Sequence, residues 1–244
     1  MTARGWVYEP NRWQPPEPAD KAQDWRYGDD VPLHRKSGYG LAAGARSAPA
    51  SPDDAYVEGL SPRRRTLYTD ALMGTAAHRV DATLPNGEVV FLYTDGCLSR
   101  AEQDLYGDLR KWLVASTVVA NLPYEVDDLI AKDRRLAATV RPWSTCMTRR
   151  GLRYATPQEA RGRIAASYEK AAPAARADVR RQETALAVAD AECDRLTGRA
   201  RVVRSLDARC RDRIEEERTP EIRAYRQAVD RALKRLGTAA TPRP

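Results

Sequence analysis

The chain has 244 residues, enough to bury a hydrophobic core, and 42% hydrophobic with 31% charged residues is a globular composition. No apolar run approaches the roughly 18 residues that span a bilayer, so the sequence excludes a transmembrane helix. The net charge is +7, and residues 149–244, with 23 basic and 14 acidic residues, carry +9. Such a field would attract nucleic acid, an anionic envelope polymer or an acidic protein.

The first 52 residues combine many prolines with aromatic side chains. Seven of the 16 prolines fall here, and proline blocks helices and central strands. A disordered tail is usually poor in aromatic residues. We therefore expect an extended arm that ends in a small-residue linker over 42–52. Its aromatic side chains dock on the protein itself, the commoner outcome, or capture a protein partner. The predicted binding residues of the arm are Trp6, Trp13 and Trp25.

Local signals predict a helix and a β-hairpin after the linker. Ser61-Pro62 is typical of a helix start, and Gly74 should end that helix. Strands are predicted over 80–84 and 88–93, because the Asn86-Gly87 pair between them suits a tight hairpin turn. Two strands alone are marginal, so the hairpin should lie against helices.

A series of helices is predicted after the hairpin. Ser99 and Glu102 form a predicted capping box, followed by a helix to about Asn121. Pro123 should begin a second helix, which Arg141-Pro142 should interrupt. A short helix is then expected over 143–150.

Long helices are predicted in the last third of the chain. Thr156 and Glu159 form a second capping box, and an apolar seam follows at heptad-like spacing. The seam consists of Leu186, Ala189, Cys193, Leu196, Ala200 and Val203. Two helices facing each other as an antiparallel hairpin explain the spacing most simply. Gly198 is the expected break, but one unbroken helix over 174–217 remains an alternative. In that helix Cys193 and Cys210 would be about 25 Å apart, whereas a turn near 201–202 would bring them level.

No motif predicts a catalytic, metal or cofactor site. Cys97 lies near a helix start, which can lower a thiol pKa, but His34 and His78 are not placed as its base. No CxxC pair occurs, so no metal ligand and no cofactor are assigned. Acidic residues interleave with the arginines, which disfavours nucleic acid. An enzyme with an unfamiliar site remains an alternative. Its pocket would be lined by Tyr93, Asp95, Tyr106, Trp112 and Trp143.

Several short pieces from residue 56 onward carry a resemblance. They include Tyr56 to Ser61, Gly96-Cys97, Trp143 to Met147, Tyr154 to Pro157 and Ala189 to Cys193. In this order they resemble an uncharacterised family of exported or lipid-anchored proteins from high-GC Gram-positive bacteria. The resemblance implies export, which permits disulfides, but supplies no activity.

The resemblance also bears on the cysteines and the location. It favours disulfides among Cys97, Cys146, Cys193 and Cys210, with Cys97–Cys146 the better pairing. It implies an extracytoplasmic or cell-surface location, with a lipid anchor if a native N-terminus was removed. The chain carries no export signal, so a cytoplasmic location stays open.

The sequence therefore predicts a mainly α protein. We expect a helical bundle with one small β-hairpin and a long C-terminal helical hairpin. The predicted domains are an arm over 1–52, a helical core with the hairpin over 53–155 and a basic helical region over 156–244. The predicted function is a non-enzymatic extracytoplasmic binding or scaffold protein, linked to an envelope transport or modification system. An enzyme acting on a natural product and a nucleic-acid-binding protein are the alternatives.

Overall fold

Helices dominate the structure, as the sequence predicts. The computed structural model describes residues 1–9, 21–44 and 52–239. The α-helices are α1 (Val31–Ser37), α2 (Leu41–Gly44), α3 (Pro52–Glu58), α4 (Pro62–Met73), α5 (Cys97–Tyr106), α6 (Leu109–Ala131), α7 (Arg134–Arg149), α8 (Pro157–Lys170), α9 (Arg176–Thr197), α10 (Arg199–Glu217) and α11 (Thr219–Ala239). Short 3₁₀ turns occur at Thr2–Arg4, Lys21–Gln23, Trp25–Tyr27, Ala76–His78 and Pro173–Ala175.

The described residues form two compact units, each assembled from separate stretches of the chain. The first unit comprises residues 1–9, 52–125 and 213–239, and the second comprises 21–44 and 126–212. Helices α6 and α10 contain residues of both units. Each compact unit contains residues from the predicted arm, the predicted helical core and the predicted basic helical region. The division of the chain into those three domains remains a prediction from composition.

The predicted hairpin and the helix before it are confirmed. Strand β1 (Arg79–Thr83) pairs antiparallel with β2 (Val89–Tyr93). Gly87 has φ +88°, the left-handed conformation that the turn requires. Helix α4 has Pro62 in its first turn and ends at Gly74, whose φ is +99°. A Cβ atom at Gly74 would lie 2.5 Å from the Cβ of Tyr93, so glycine lets the helix end approach β2.

Two predicted helix breaks at prolines are wrong. Pro123 lies inside α6, and Pro142 lies inside α7. Each proline removes one backbone hydrogen bond, but buried side chains flank both positions, including Val118 and Val126 in α6 and Trp143 in α7. Tertiary packing therefore keeps both helices continuous.

One of the two predicted capping boxes forms. Thr156 Oγ1 accepts a hydrogen bond from Glu159 N at 3.1 Å, and Glu159 Oε2 accepts one from Ala155 N at 2.7 Å. The predicted box at Ser99 is wrong, because α5 already begins at Cys97 and Gly96 is its N-cap. The Ser99 hydroxyl instead donates to Gly96 O from within the first turn.

The C-terminal helices are long, and the chain breaks at Gly198 rather than running as one helix over 174–217. Gly198 adopts φ +69° between α9 and α10. Helix α9 packs on α1, α7 and α8 in the second unit, and α11 packs on α5 in the first. Helices α9 and α11 therefore contribute to different cores. Leu196, predicted as a seam residue, is 74% exposed.

Each unit has its own buried core. In the first unit the core includes Tyr68, Ala71, Leu109, Val118 and Ala228. In the second unit it is formed by side chains from the α1–α2 segment and from α7, α8 and α9, namely Tyr39, Trp143, Met147, Ile164 and Leu186.

Candidate functional site

Trp6, a predicted binding residue of the arm, packs on the first unit. Its indole meets the Tyr68 ring edge-on, with 5.6 Å between ring centroids. The Arg64 guanidinium lies 5.4 Å from the Trp6 ring centroid. Trp6 therefore docks on its own protein, the first of the two alternatives drawn from the sequence. Trp13 lies outside the described residues.

Tyr93 is the last residue of strand β2, and Asp95 lies in the turn that follows it. Asp95 Oδ1 accepts from Thr75 N and Asp95 Oδ2 from Thr75 Oγ1, both at 2.8 Å. The backbone N–H of Thr75 is the main reason why the pKa of Asp95 lies below its ordinary value. The Tyr93 ring packs against Phe91, with 5.5 Å between centroids. Both predicted site residues thus have local structural contacts.

Trp112 lies in a stack of aromatic rings between α5, α6 and α11. Its ring is nearly parallel to that of Tyr106 at 3.6 Å and to that of Tyr225 at 5.5 Å between centroids. The backbone carbonyl of Tyr106 accepts a hydrogen bond from Arg231 Nη1. Nearby, burial raises the pKa of Glu102. Protein rings therefore already pack on Trp112, and Tyr106 and Trp112 also line a cavity of about 190 Å³ with residues of α6 and α11.

Three acidic side chains of α9 point into the core of the second unit. Glu183 and Asp194 are completely buried, and Asp190 is 5% exposed. Burying a carboxylate is costly unless hydrogen bonds or charges compensate. The partners of these three acids therefore determine whether they serve structure or chemistry.

Glu183 accepts hydrogen bonds from the backbone at the start of α2 and so links this segment to the core. Its Oε1 accepts from the backbone N–H groups of Tyr39 and Leu41, at 2.9 and 3.0 Å. Its Oε2 accepts from the Tyr168 hydroxyl at 2.6 Å. Gly38 has φ +62°, and a Cβ there would lie 2.8 Å from Glu183 Cδ. Burial, followed by the bond to Glu183, raises the pKa of Tyr168.

Asp190 joins two large aromatic residues. Its Oδ1 accepts from Trp143 Nε1 at 2.7 Å, and its Oδ2 accepts from the Tyr39 hydroxyl at 2.8 Å. Burial first, and the charge of Asp190 second, raise the pKa of Tyr39. Trp143, predicted as a binding residue, is completely buried and uses its only polar group on Asp190.

Asp194 ties the end of α9 to the start of α10. Its Oδ1 accepts from Ala200 N at 2.7 Å, and its Oδ2 accepts from Arg199 Nη1 at 3.0 Å. Burial raises the pKa of Asp194, although these two donors oppose that effect. All six oxygens of the three acids thus accept hydrogen bonds from the protein, so the acids act as structural acceptors in this fold.

Sequence reasoning missed this buried network, including Tyr39, which it placed in an irregular arm. One signal was present in α9. Glu183, Asp190 and Asp194 are spaced by seven and four residues, which puts them on the same helix face as Ala187. Acidic residues inside an apolar stripe indicate a buried polar network rather than a solvent-exposed face.

The structure contains one disulfide among its described residues, and its pairing corrects the prediction. Cys146 of α7 is bonded to Cys193 of α9, with 5.7 Å between their Cα atoms. The predicted Cys97–Cys146 pair is wrong, since Cys146 has this other partner. Cys97 and Cys210 are both free thiols, so a Cys193–Cys210 bond is absent too. Packing of α7 against α9 explains the pairing, because it brings these Cα atoms within disulfide range.

A groove of about 690 Å³ lies over the disulfide in the second unit. We call it the arginine groove. It is lined by Arg141, Pro142, Thr145, Cys146, Arg149, Arg150, Leu196 and Thr197. Arg150 forms an ion pair with Glu192. The guanidinium groups of Arg141 and Arg149 are exposed and have no partner among the described residues.

The predicted site residues do not share one location. Tyr93 and Asp95 lie at the end of the hairpin, and Tyr106 and Trp112 belong to the ring stack of the first unit. Trp143 is a core residue of the second unit. Within residues 1–9, 21–44 and 52–239, no group of three His, Cys, Asp or Glu side chains could hold a metal ion. Over the same residues, no helix is both long and apolar enough to cross a membrane.

Comparisons with known proteins gave no relative. No protein-family model, no curated protein and no solved structure matches this chain.

Proposed function

We propose that this protein is a non-enzymatic, extracytoplasmic binding protein whose arginine groove receives an acidic segment of a partner protein. The observation that carries the proposal is a pair of exposed guanidinium groups, which have no partner in the described part of the chain, beside an exposed leucine. Arginine recognises carboxylates by bidentate hydrogen bonds, and an exposed apolar side chain in the same groove suits an anchor residue of the partner.

The spacing of the groove residues defines the segment that it would accept. Arg141 and Arg149 are eight residues apart on α7, which corresponds to about 12 Å along the helix axis. Two carboxylates four residues apart in an extended peptide are separated by about 13 Å. Leu196 lines the same groove and is 74% exposed. An extended segment with acidic residues at this spacing and one apolar residue close to them therefore complements the groove.

The disulfide supports the extracytoplasmic part of the proposal. Disulfides persist in oxidising compartments and are rare in reducing cytosol. The test is to acidify intact cells, block free thiols and measure the mass of the protein. Cys146 and Cys193 should escape alkylation, whereas their modification in freshly quenched cells would contradict this location.

Binding can be measured by fluorescence anisotropy with a labelled extended peptide of the stated pattern. The same peptide with glutamine in place of glutamate serves as the uncharged control. Arg141→Glu combined with Arg149→Glu should weaken binding by about tenfold or more, since each replaces a charge-assisted bond by repulsion. The matched control is Arg176→Glu with Arg180→Glu, which makes the same charge change at exposed positions of α9 outside the groove.

The apolar contact has its own pair of variants. Leu196→Ala should weaken peptide binding, whereas Leu233→Ala, at an exposed leucine of the first unit, should not. An equal loss in both arginine double variants would show that net charge alone governs binding. Tighter, steeply salt-dependent binding of single-stranded DNA would favour the nucleic-acid alternative instead.

A further inference from the structure

Helix α7 carries charge of only one sign, and this charge extends past the arginine groove. The helix contains no acidic residue and four arginines, namely Arg134, Arg135, Arg141 and Arg149. Every other described helix of ten or more residues contains at least one aspartate or glutamate. Acids and bases on one helix can neutralise each other, but α7 has no acid of its own to do so. The partners of its arginines therefore decide where an anion could bind.

Three of these arginines lie on one exposed face of α7. Arg134 precedes Arg141 by seven residues, and Arg149 follows Arg141 by eight. With 3.6 residues per turn, these steps keep the three side chains within an arc of about 80°. We call this face the arginine stripe. Ala138 and Thr145 lie between the arginines on the same face, and both are exposed and short, so the backbone of a partner can approach the helix.

Arg134 is the member of the arginine stripe that lies outside the arginine groove, which Arg141 and Arg149 line. Arg134 is exposed, and its guanidinium has no partner among the described residues. The acid next to it, Asp133, is bonded to Arg135, whose Nε and Nη2 donate to it at 3.0 and 2.8 Å. The charge of Arg134 is therefore available to a partner.

The position of Arg134 within the helix is a second reason to expect an anion there. Arg134 is the first residue of α7, and Asp133 is the N-cap. The N-terminus of a helix carries a partial positive charge, which disfavours a cation in the first turn. Arg135 is compensated by its bonds to Asp133, whereas Arg134 has no such partner in the described part of the chain. An anion at this position would be attracted by both the guanidinium and the helix end.

We propose that the acidic segment received by the arginine groove continues along α7 and places a third acidic residue on Arg134. This inference rests on the proposed function, because the groove holds the other two acids. Arg134 and Arg141 are about 10.5 Å apart along the helix axis, a distance that three residues of an extended peptide span. The partner segment therefore carries its third acid three residues beyond one end of the pair that binds in the groove.

The test compares labelled peptides by fluorescence anisotropy with the full chain. The reference peptide has two glutamates at the spacing of the groove, and two further peptides add a glutamate three residues beyond one end or the other. Glutamine at the added position controls for peptide length. One of the two three-acid peptides should bind about threefold or more tightly than the reference, the gain expected of an exposed ion pair. The peptide that gains shows the direction in which the segment runs.

Variants of Arg134 assign the gain to the arginine stripe. In Arg134→Gln the reference peptide should bind as it does to the wild type, whereas the three-acid peptide should lose its advantage. The matched control is Arg176→Gln, at the exposed first residue of α9, where the advantage should persist. Arg134→Glu should prefer a peptide with lysine at the added position over the one with glutamate, an exchange that a folding defect does not produce.

The outcomes distinguish failure of this inference from failure of the proposed function. Binding of the reference peptide with no gain from either added glutamate would overturn the extension along α7 and leave the groove proposal standing. An advantage that persists in Arg134→Gln would do the same, because the third acid would then contact another part of the chain. Absence of binding by the reference peptide to the wild type would refute both proposals.

Discussion

Reduction of the Cys146–Cys193 bond should markedly destabilise the second unit. The perturbation is best made in a variant carrying Cys97→Ser and Cys210→Ser, because the structure leaves those two thiols free. The same polypeptide can then be compared with its one disulfide intact or reduced, so that the two samples have identical sequences.

The expected magnitude follows from the length of chain that the bond closes. The two cysteines are 47 residues apart in sequence. A cross-link over that distance restricts the unfolded chain and stabilises the fold by about 4 kcal/mol at room temperature in the chain-entropy account. Since domains are stable by only about 5–15 kcal/mol, this is a large share.

Urea unfolding, followed by circular dichroism, measures the difference. We expect the oxidised protein to need a clearly higher urea concentration, with the shift confined to the transition of the unit that contains both cysteines. Thiol titration of denatured, unreduced wild-type protein should give two free thiols per chain. Identical unfolding curves for the oxidised and reduced forms, or four free thiols in material purified without reductant, would refute the reasoning.

Other substitutions probe the buried acids, a helix proline and the hairpin corner. Asp190→Asn should lower the free energy of unfolding by about 1–3 kcal/mol, since an amide cannot accept from both of its aromatic donors, whereas the exposed Asp178→Asn should have little effect. Pro123→Ala should stabilise the protein by about 1–3 kcal/mol in thermal unfolding, because it restores a donor within α6, and Pro62→Ala at a helix start should not. Because the pKa of Asp95 is lowered in the folded protein, its carboxylate stabilises the fold at pH values above the unfolded pKa of 3.8. This stability is lost as the pH falls from 3.8 through the lower pKa of the folded state. In Asp95→Asn the free energy of unfolding should therefore fall less steeply as the pH is lowered from about 5 to 2. The same pH dependence in the variant and the wild type would contradict this contribution of Asp95.

Features that depend on a few neighbouring residues could be predicted from the sequence. The Asn86-Gly87 turn placed both strands within about a residue of their observed bounds. Pro62 and Gly74 located both ends of α4, and Thr156 located the start of α8. In each case the backbone needs a particular residue type at that position, whatever the rest of the chain does.

Features that depend on distant partners could not be predicted in the same way. Tyr39 lies in a proline-rich stretch, and its role in the core comes from Glu183 and Asp190, which are far along the chain. The cysteine pairing depends on α7 packing against α9, and the resemblance pointed to a different pair. The arginine groove combines side chains of α7 and α9, and none of its lining residues was predicted as a binding residue.

The bond from Tyr39 to Glu183 also constrains the order of events during synthesis. The donor precedes its acceptor by 144 residues. At about 5–20 residues per second, a ribosome needs roughly 7–30 s to reach the acceptor after making the donor. During that interval the tyrosine has no native carboxylate to bind, and the nascent chain must remain soluble without it.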